Sequence, residues 1–151
     1  MRLIQAKEVQ ALTGLSQDQL REWTRRRGLI PPDIIPQGPG SRALFSWQTV
    51  LLLRIAVVLK EKLHVELQAY RENFAKLRCL IAERSFLSLG GSGLLLLPDG
   101  TVKLTSSSVE NASVCDGLFV QLDPHLGILS TGFREIEASR QLPLFPISAV
   151  R

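Results

Sequence analysis

Residues 16–32 read SQDQLREWTRRRGLIPP, a run with a helix start at one end and a helix stop at the other. Ser16 offers a hydroxyl that can cap free backbone N–H groups, and Gln19, three residues later, completes a capping-box pattern. Gly28 supplies a C-terminal stop, and the pair of prolines that follows prevents continuation of the helix. The spacing predicts a helix over residues 17–27.

A shorter helix is predicted just before it. Residues 6–13 carry Val9 and Leu12 at a three-residue spacing and end before Gly14, which can take the left-handed conformation that stops a helix. Only the short TGLS segment separates the two helices. The sequence therefore predicts a helix-turn-helix corner.

The chain downstream predicts a wing and two more helices. Residues 31–41, PPDIIPQGPGS, hold four prolines and two glycines, which favour a loop or a short twisted hairpin over a helix. Ser46 can cap a third helix that reaches about Leu63. Residues 65–84 predict a fourth helix after a break near His64.

The second predicted helix has one face for packing and one for a partner. Leu20 and Trp23 fall on one side, whereas Gln17, Arg21 and Arg25 form an i, i+4, i+8 row on the other. Arginine matches the acceptors of guanine and of phosphate, and glutamine can read adenine, so the row has the donors that a major groove requires. The alternative is a charged face that only contacts solvent.

Basic charge is concentrated in the first half. Residues 1–84 contain 14 Lys and Arg against 8 Asp and Glu, and residues 85–151 contain 4 against 6, within a net charge of +4. That asymmetry favours a polyanion such as double-stranded DNA as the partner of the N-terminal half. Most of the Arg25-Arg26-Arg27 run is expected to contact phosphates rather than bases.

Two stretches resemble the MerR family of bacterial transcriptional regulators, over residues 3 to about 81. LREWTRRRGLIPP is similar to the family's order of a Leu-Arg pair, an aromatic residue, a basic residue, Gly-Leu and Pro. GSRALFSWQTVLLLRIAVVLKEKLHVELQAY continues it, with Arg42, Phe45, Ser46 and the Leu53-Arg54 pair in the family's places. The resemblance implies a four-helix winged module whose second helix enters the major groove and whose wing contacts the flanking backbone, as a symmetric dimer on a palindromic site.

The helix face and the resemblance together predict the DNA contacts. The predicted residues are Gln17, Arg21, Thr24, Arg25 and Arg26 on the second helix and Arg42 on the wing.

The fourth predicted helix carries an apolar stripe at a/d spacing over two heptads. Its members are Leu67, Tyr70, Phe74, Leu77 and Ile81. Two interpretations stay open: the core face of an ordinary helix, or a seam with a second copy of the chain, since family members dimerise through a coiled coil after the winged module.

Beyond residue 84 the pattern changes to strands. Residues 85–93 contain LGGSG and predict a linker, and LLLLPDGTVKL predicts a β-hairpin around Pro-Asp-Gly. Strands over residues 118–122 and 128–131 are predicted to flank a second turn, DPHLG, and the tail from Gln141 is predicted to be a strand or an interaction segment. The overall prediction is an α+β protein: a winged helix-turn-helix in residues 1–84 and a small antiparallel β segment in residues 94–151.

Metal and catalytic chemistry are not expected. Cys79 and Cys115 lack CxxC spacing and are predicted to be small buried residues, and the only histidines are His64 and His125. No nucleophile elbow, P-loop or dinucleotide fingerprint is present, so neither an enzyme nor a cofactor is predicted. The sequence shows no secretory signal or membrane span, which predicts a cytoplasmic protein.

The leading functional prediction is a sequence-specific DNA-binding transcription regulator acting as a homodimer. The alternative is an antitoxin-like or adaptor protein whose C-terminal segment captures a partner protein while the N-terminal part autoregulates. A third hypothesis, with the least support, is an architectural or recombination accessory protein that bends DNA.

Overall fold

The computed structural model describes residues 2–106 and 116–141 and has the predicted α+β architecture. The N-terminal elements are β1 (Ile4–Gln5), α1 (Ala6–Thr13), α2 (Gln17–Arg21) with a π-helical continuation (Glu22–Arg26), β2 (Leu44–Phe45) and α3 (Trp47–Val57) with a π-helical continuation (Val58–Lys62). After a 3₁₀ turn (Leu67–Tyr70) come α4 (Arg71–Ala82), a second 3₁₀ turn (Leu87–Leu89), β3 (Ser92–Leu96), β4 (Val102–Ser106), β5 (Leu118–Gln121) and α5 (Asp123–Arg140).

The helix-turn-helix corner forms from the local signals that predicted it. Gly14 ends α1 with a φ of 77°, a left-handed conformation that costs glycine little. Ser16 Oγ accepts a hydrogen bond from the Gln19 backbone N–H at 3.1 Å, and Gln19 Oε1 accepts one from the Ser16 N–H at 3.1 Å. This capping box begins α2 where the sequence predicted it.

The wing, defined here as residues 33–44, is a short hairpin. Ile34 and Leu44 form an antiparallel bridge at its base, and the Gln37 backbone N–H donates to Ser41 Oγ at 2.8 Å near its tip. The chain beyond the bridge continues into β2, which pairs antiparallel with β1 in the register Ile4↔Phe45 and Gln5↔Leu44. The predicted loop or hairpin is confirmed, and the β1–β2 ladder is an addition that the sequence did not predict.

Asp33 fixes the base of the wing to the helices behind it. Its Oδ2 accepts hydrogen bonds at 2.7 Å from the Ser46 backbone N–H and from the Thr49 hydroxyl. Arg78 of α4 donates to the Pro31 carbonyl at 2.8 Å and lies 3.8 Å from Asp33 Oδ1. The base of the wing is therefore fixed by hydrogen bonds to α3 and α4.

The apolar stripe of the fourth helix lies in the core of its own chain. Leu67, Phe74, Leu77 and Ile81 are at most 4% exposed, and Tyr70 is half-buried against the same cluster. This burial agrees with the core-face interpretation and corrects the dimer-seam one, because side chains already covered by one chain cannot pack against a second. Homodimerisation itself stays a prediction and requires another surface.

The predicted linker and domain boundary are wrong. Residues 87–89 form a 3₁₀ turn in which Leu89 is fully buried, and β3 begins at Ser92, inside the predicted linker. One hydrophobic cluster contains residues from both halves of the chain, from Ile4 to Leu129. The described residues therefore share a single core.

The predicted first hairpin is confirmed, and the second is not. β3 pairs antiparallel with β4 around a turn in which Gly100 has a φ of 91°, and β5 pairs with the other edge of β3. The predicted strand over residues 128–131 is instead part of α5, because Pro124 is tolerated in a first helical turn and Asp123 favours the helix N-terminus. The apolar residues of this region, at 122, 126, 129, 133 and 136, follow a helical period.

α5 packs directly on the winged module. A Cβ at Gly132 would overlap the end of the Leu12 side chain of α1, so α5 and α1 approach each other closely at this glycine. Near the C-terminal end of α5, Arg140 donates to the Leu3 carbonyl at 3.1 Å and pairs with Glu8 at 3.1 Å. These contacts hold α5 against the N-terminal elements.

The two cysteines and the C-terminal tail have different outcomes. Cys79 is exposed, contrary to the prediction of a buried residue, while Cys115 and the tail after Gln141 lie outside the described residues. Within the described residues, no helix is both long and apolar enough to cross a membrane.

Candidate nucleic-acid interface

The two faces of α2 separate as predicted. Leu20 and Trp23 are buried against the core, whereas Gln17, Arg21 and Arg25 are exposed. The π-helical continuation, marked by the bond from the Arg27 N–H to the Glu22 carbonyl at 2.8 Å, carries the arginine run past the end of the α-helix.

A groove of about 320 Å³ lies between α2, the start of α1 and the wing, and we call it the α2–wing groove. It is lined by Gln17, Leu20, Arg21, Thr24 and Arg25 of α2, by Gln5, Ala6 and Lys7 of β1 and α1, and by Pro36, Ser41, Arg42, Ala43 and Phe45. The groove thus brings Arg42 together with the α2 row, although many residues separate them in the sequence.

Arg42 is held in place by the unpredicted ladder. Its Nη1 donates to Gln5 Oε1 at 2.8 Å, and Gln5 lies opposite Leu44 in the β1–β2 register. An exposed arginine loses side-chain entropy when it is ordered, and this hydrogen bond restricts the guanidinium before any partner arrives.

Lys7 adds a cation that sequence reasoning missed. It is exposed in the first turn of α1 and lines the same groove as Arg21, Arg25 and Arg42. None of these four cations forms an ion pair with a described residue. The available signal was the position of Lys7 on the side of α1 opposite the buried Val9, but its distance to the wing depends on β1.

Thr24 is buried, unlike the other predicted contact residues of α2. It is 6% exposed, and its hydroxyl donates to the Leu20 carbonyl one turn earlier at 2.6 Å. Its only donor is therefore used within the helix, at the floor of the groove. The contact of Thr24 with DNA therefore stays a prediction, and its hydroxyl donor is not free to make it.

Glu22 divides the arginine run. Its carboxylate lies 2.9 Å from Arg27 Nε and 3.5 Å from Arg26 Nη1, whereas Arg25 points into the groove. The Arg26 side chain remains 76% exposed, and such exposed pairs are weak. Arg26 can therefore exchange Glu22 for a phosphate at little cost.

Arg54, which the resemblance placed in the third helix, has a structural position. It donates to the Leu12 carbonyl and, through Nε, to His125 Nδ1 at 3.1 Å, joining α3 to α1 and α5. Burial lowers the pKa of Arg54, and burial followed by the nearby charges of Arg54 and Lys62 lowers the pKa of His125 from 6.5 to about 4. Neutral His125 is the acceptor that this bond requires.

Across residues 2–106 and 116–141, no group of three or more His, Cys, Asp or Glu side chains could hold a metal ion. The cationic groove has the donors for an anionic polymer.

Comparison with known families identifies the N-terminal part. The model described as "MerR HTH family regulatory protein" matches residues 4–77, about half of the chain, and the match spans β1, the helix-turn-helix, the wing, α3 and much of α4. No curated protein matches the chain.

Proposed function

We propose that this chain is a DNA-binding transcription regulator in which α2 enters the major groove while the wing contacts the flanking backbone, because residues 4–77 match the MerR helix-turn-helix family. The observation that carries this proposal is the α2–wing groove, where Gln17, Arg21 and Arg25 converge with Arg42 and Lys7.

The side chains have different roles in this proposal. Gln17 is the first residue of α2, and Arg21 lies one turn later, before the π-helical continuation. The N-terminal part of a recognition helix contacts base edges, so these two residues read sequence. Arg25 and Arg26 lie further along the helix and contact phosphates. Lys7 of α1 and Arg42 of the wing also contact phosphates. Sequence preference should therefore depend on far fewer side chains than affinity does.

A homodimer on a palindromic site completes the proposal. The support comes from the symmetry usual for this class of DNA-binding fold. Since the α4 stripe is internal, the two copies must meet through a different surface. Sedimentation of the protein alone and with a selected DNA fragment gives the stoichiometry directly.

The decisive experiment is selection from random duplex DNA with purified full-length protein at fixed salt. Enrichment of one sequence class is expected, and Arg21→Ala should relax the preference at a defined base pair. Arg42→Ala should weaken binding to all sequences and reduce the slope of log affinity against log salt by about 1.

Arg84→Ala is the matched control, because Arg84 is exposed and does not line the groove. It should bind the selected DNA within about twofold of the wild type. If no sequence is enriched above random DNA, sequence-specific regulation by this chain is refuted.

The antitoxin-like or adaptor hypothesis predicts a partner protein in addition to DNA. Its main motivation is the C-terminal part of the chain, which includes the segment after Gln141. Purification of the untagged protein from its natural host would show a stoichiometric second chain. A homogeneous protein without such a chain would exclude this alternative.

A further inference from the structure

A second cavity, of about 410 Å³, shares no lining residue with the α2–wing groove, and we call it the aromatic cavity. Its walls include Trp47 at the start of α3, Phe86 before the second 3₁₀ turn, and Leu129 and Phe133 of α5. The Trp47 and Phe86 rings pack edge to face, with centroids 5.1 Å apart and planes at 81°. Trp47, Phe86 and Phe133 are all half-buried, and all three line the cavity.

The polar rim leaves one cation available. Arg2 and Glu137 both line the cavity, and they neutralise one another through a 2.7 Å contact between Nη1 and Oε2. Arg134 also lines it, is exposed, and forms no ion pair with a described residue. Ser130 adds a hydroxyl near the same rim. The aromatic cavity therefore combines flat apolar walls with a single net positive charge.

We propose that the aromatic cavity binds a small planar aromatic carboxylate, with its ring against Trp47, Phe86 and Phe133 and its carboxylate on Arg134. The cavity volume falls in the range of small-molecule sites, which are mostly apolar with a few placed polar groups. Aromatic rings favour edge-to-face or offset contacts, and arginine binds a carboxylate through two parallel hydrogen bonds. A neutral ring would gain the wall contacts alone.

The same cavity is connected to the proposed DNA surface. Arg2 precedes β1 by two residues, and Trp47 follows β2 by two residues. These two strands pair with each other, and Gln5 of β1 holds Arg42 at 2.8 Å. A ligand that shifts either end of the ladder therefore changes the placement of Arg42, and this coupling rests on the DNA-binding function proposed above.

The binding test uses 1-naphthoate as the probe, titrated into full-length protein without DNA and followed by calorimetry. Saturable one-site binding is expected. Arg134→Gln should weaken it about tenfold, because a charge-assisted hydrogen bond is lost, and the neutral analogue 1-naphthalenemethanol should bind wild-type protein as weakly. Arg84→Gln, at an exposed arginine outside the cavity, should leave the affinity unchanged.

Several outcomes would overturn the cavity proposal. The absence of saturable binding, or equal affinity in the Arg134→Gln variant, would do so. Tighter binding in a Phe145→Ser variant would assign the cavity to the chain's own C-terminal segment. Affinity that falls as protein concentration rises would assign it to a second copy of the chain.

The coupling is measured separately. Saturating 1-naphthoate should change the affinity of wild-type protein for its selected DNA by threefold or more, and should have no effect on Arg134→Gln, whose DNA affinity without probe should match the wild type. Bound probe without any change in DNA affinity would refute the coupling. A protein that binds probe but no DNA would refute the proposed function and leave the cavity assignment intact.

Discussion

α2 and α4 each carry a regular row of side chains that the sequence marks as a contact surface, but they differ in what covers them. The outer row of α2, with Gln17, Arg21 and Arg25, is exposed beside a groove, whereas the a/d stripe of α4 is buried in the core of the same chain. Periodicity shows that a face makes contacts. Whether the contact is with another molecule depends on how the rest of the chain packs.

The largest effect is expected from shortening a side chain of the α4 stripe. Phe74→Ala should lower the free energy of unfolding by about 3–5 kcal/mol, because Phe74 is 1% exposed and its removal leaves a core cavity. Urea unfolding measures this. Cys79→Ala, on the exposed side of the same helix, is the control and should change stability by no more than about 0.5 kcal/mol.

If the stripe were a seam between two copies, Phe74→Ala would act mainly on self-association. The urea midpoint of the wild type would then depend on protein concentration, and the variant would sediment as a stable monomer. Either result would show that the α4 stripe is an interface between two copies of the chain.

Burial also distinguishes the exposed cations near α2 from the ionisable groups in the core. Arg21 and Arg25 are exposed, whereas His125 is 8% exposed beside Arg54 and has its pKa lowered from 6.5 to about 4. Between these two pH values the unfolded chain binds a proton that the folded chain does not. Stability from this group is therefore complete above pH 6.5 and falls as the pH drops toward 4, by on the order of 3 kcal/mol.

The measurement is urea unfolding from pH 7.5 to pH 5, before most carboxylates titrate. His125→Gln keeps an acceptor near Arg54 without a titrating group, so its stability should fall less over the same range. Parallel pH dependence in the two proteins would contradict the neutral, buried state of His125.

On the exposed side of the comparison, Arg21→Ala should reduce affinity for the selected DNA by about 1–3 kcal/mol and relax one base position. Thr24→Val, at a buried hydroxyl bonded to its own helix, should change neither affinity nor sequence preference appreciably. Electrophoretic mobility shifts on matched and mismatched duplexes measure both. An altered preference in Thr24→Val would return this residue to the interface.

The smallest effect is expected at Glu22, which lies beside the exposed arginines of α2. Glu22→Gln should raise DNA affinity by less than about 1 kcal/mol, because it removes the partner of Arg26 and Arg27 and one like charge near the phosphates. The salt dependence of binding should become slightly steeper. Weaker DNA binding in this variant would indicate that the Glu22 pairs position the arginines instead of competing for them.

The elements that could be predicted from the sequence are those whose signals are local. The capping box of Ser16 and Gln19, the stop at Gly14 and the hairpin around Gly100 all depend on residues a few positions apart, so they were predicted correctly. The exposed row of α2 was predicted for the same reason, since helical geometry alone orients successive side chains.

Contacts between distant segments could not be predicted in this way. The apolar residues of α5 follow a helical period that is present in the sequence, but the packing of the whole chain places this helix against α1 and α3. The β1–β2 ladder joins Gln5 to Arg42 across 37 positions, and the core closes over the α4 stripe. These outcomes depend on which distant segments meet, and a pattern within one segment carries no information about its distant neighbour.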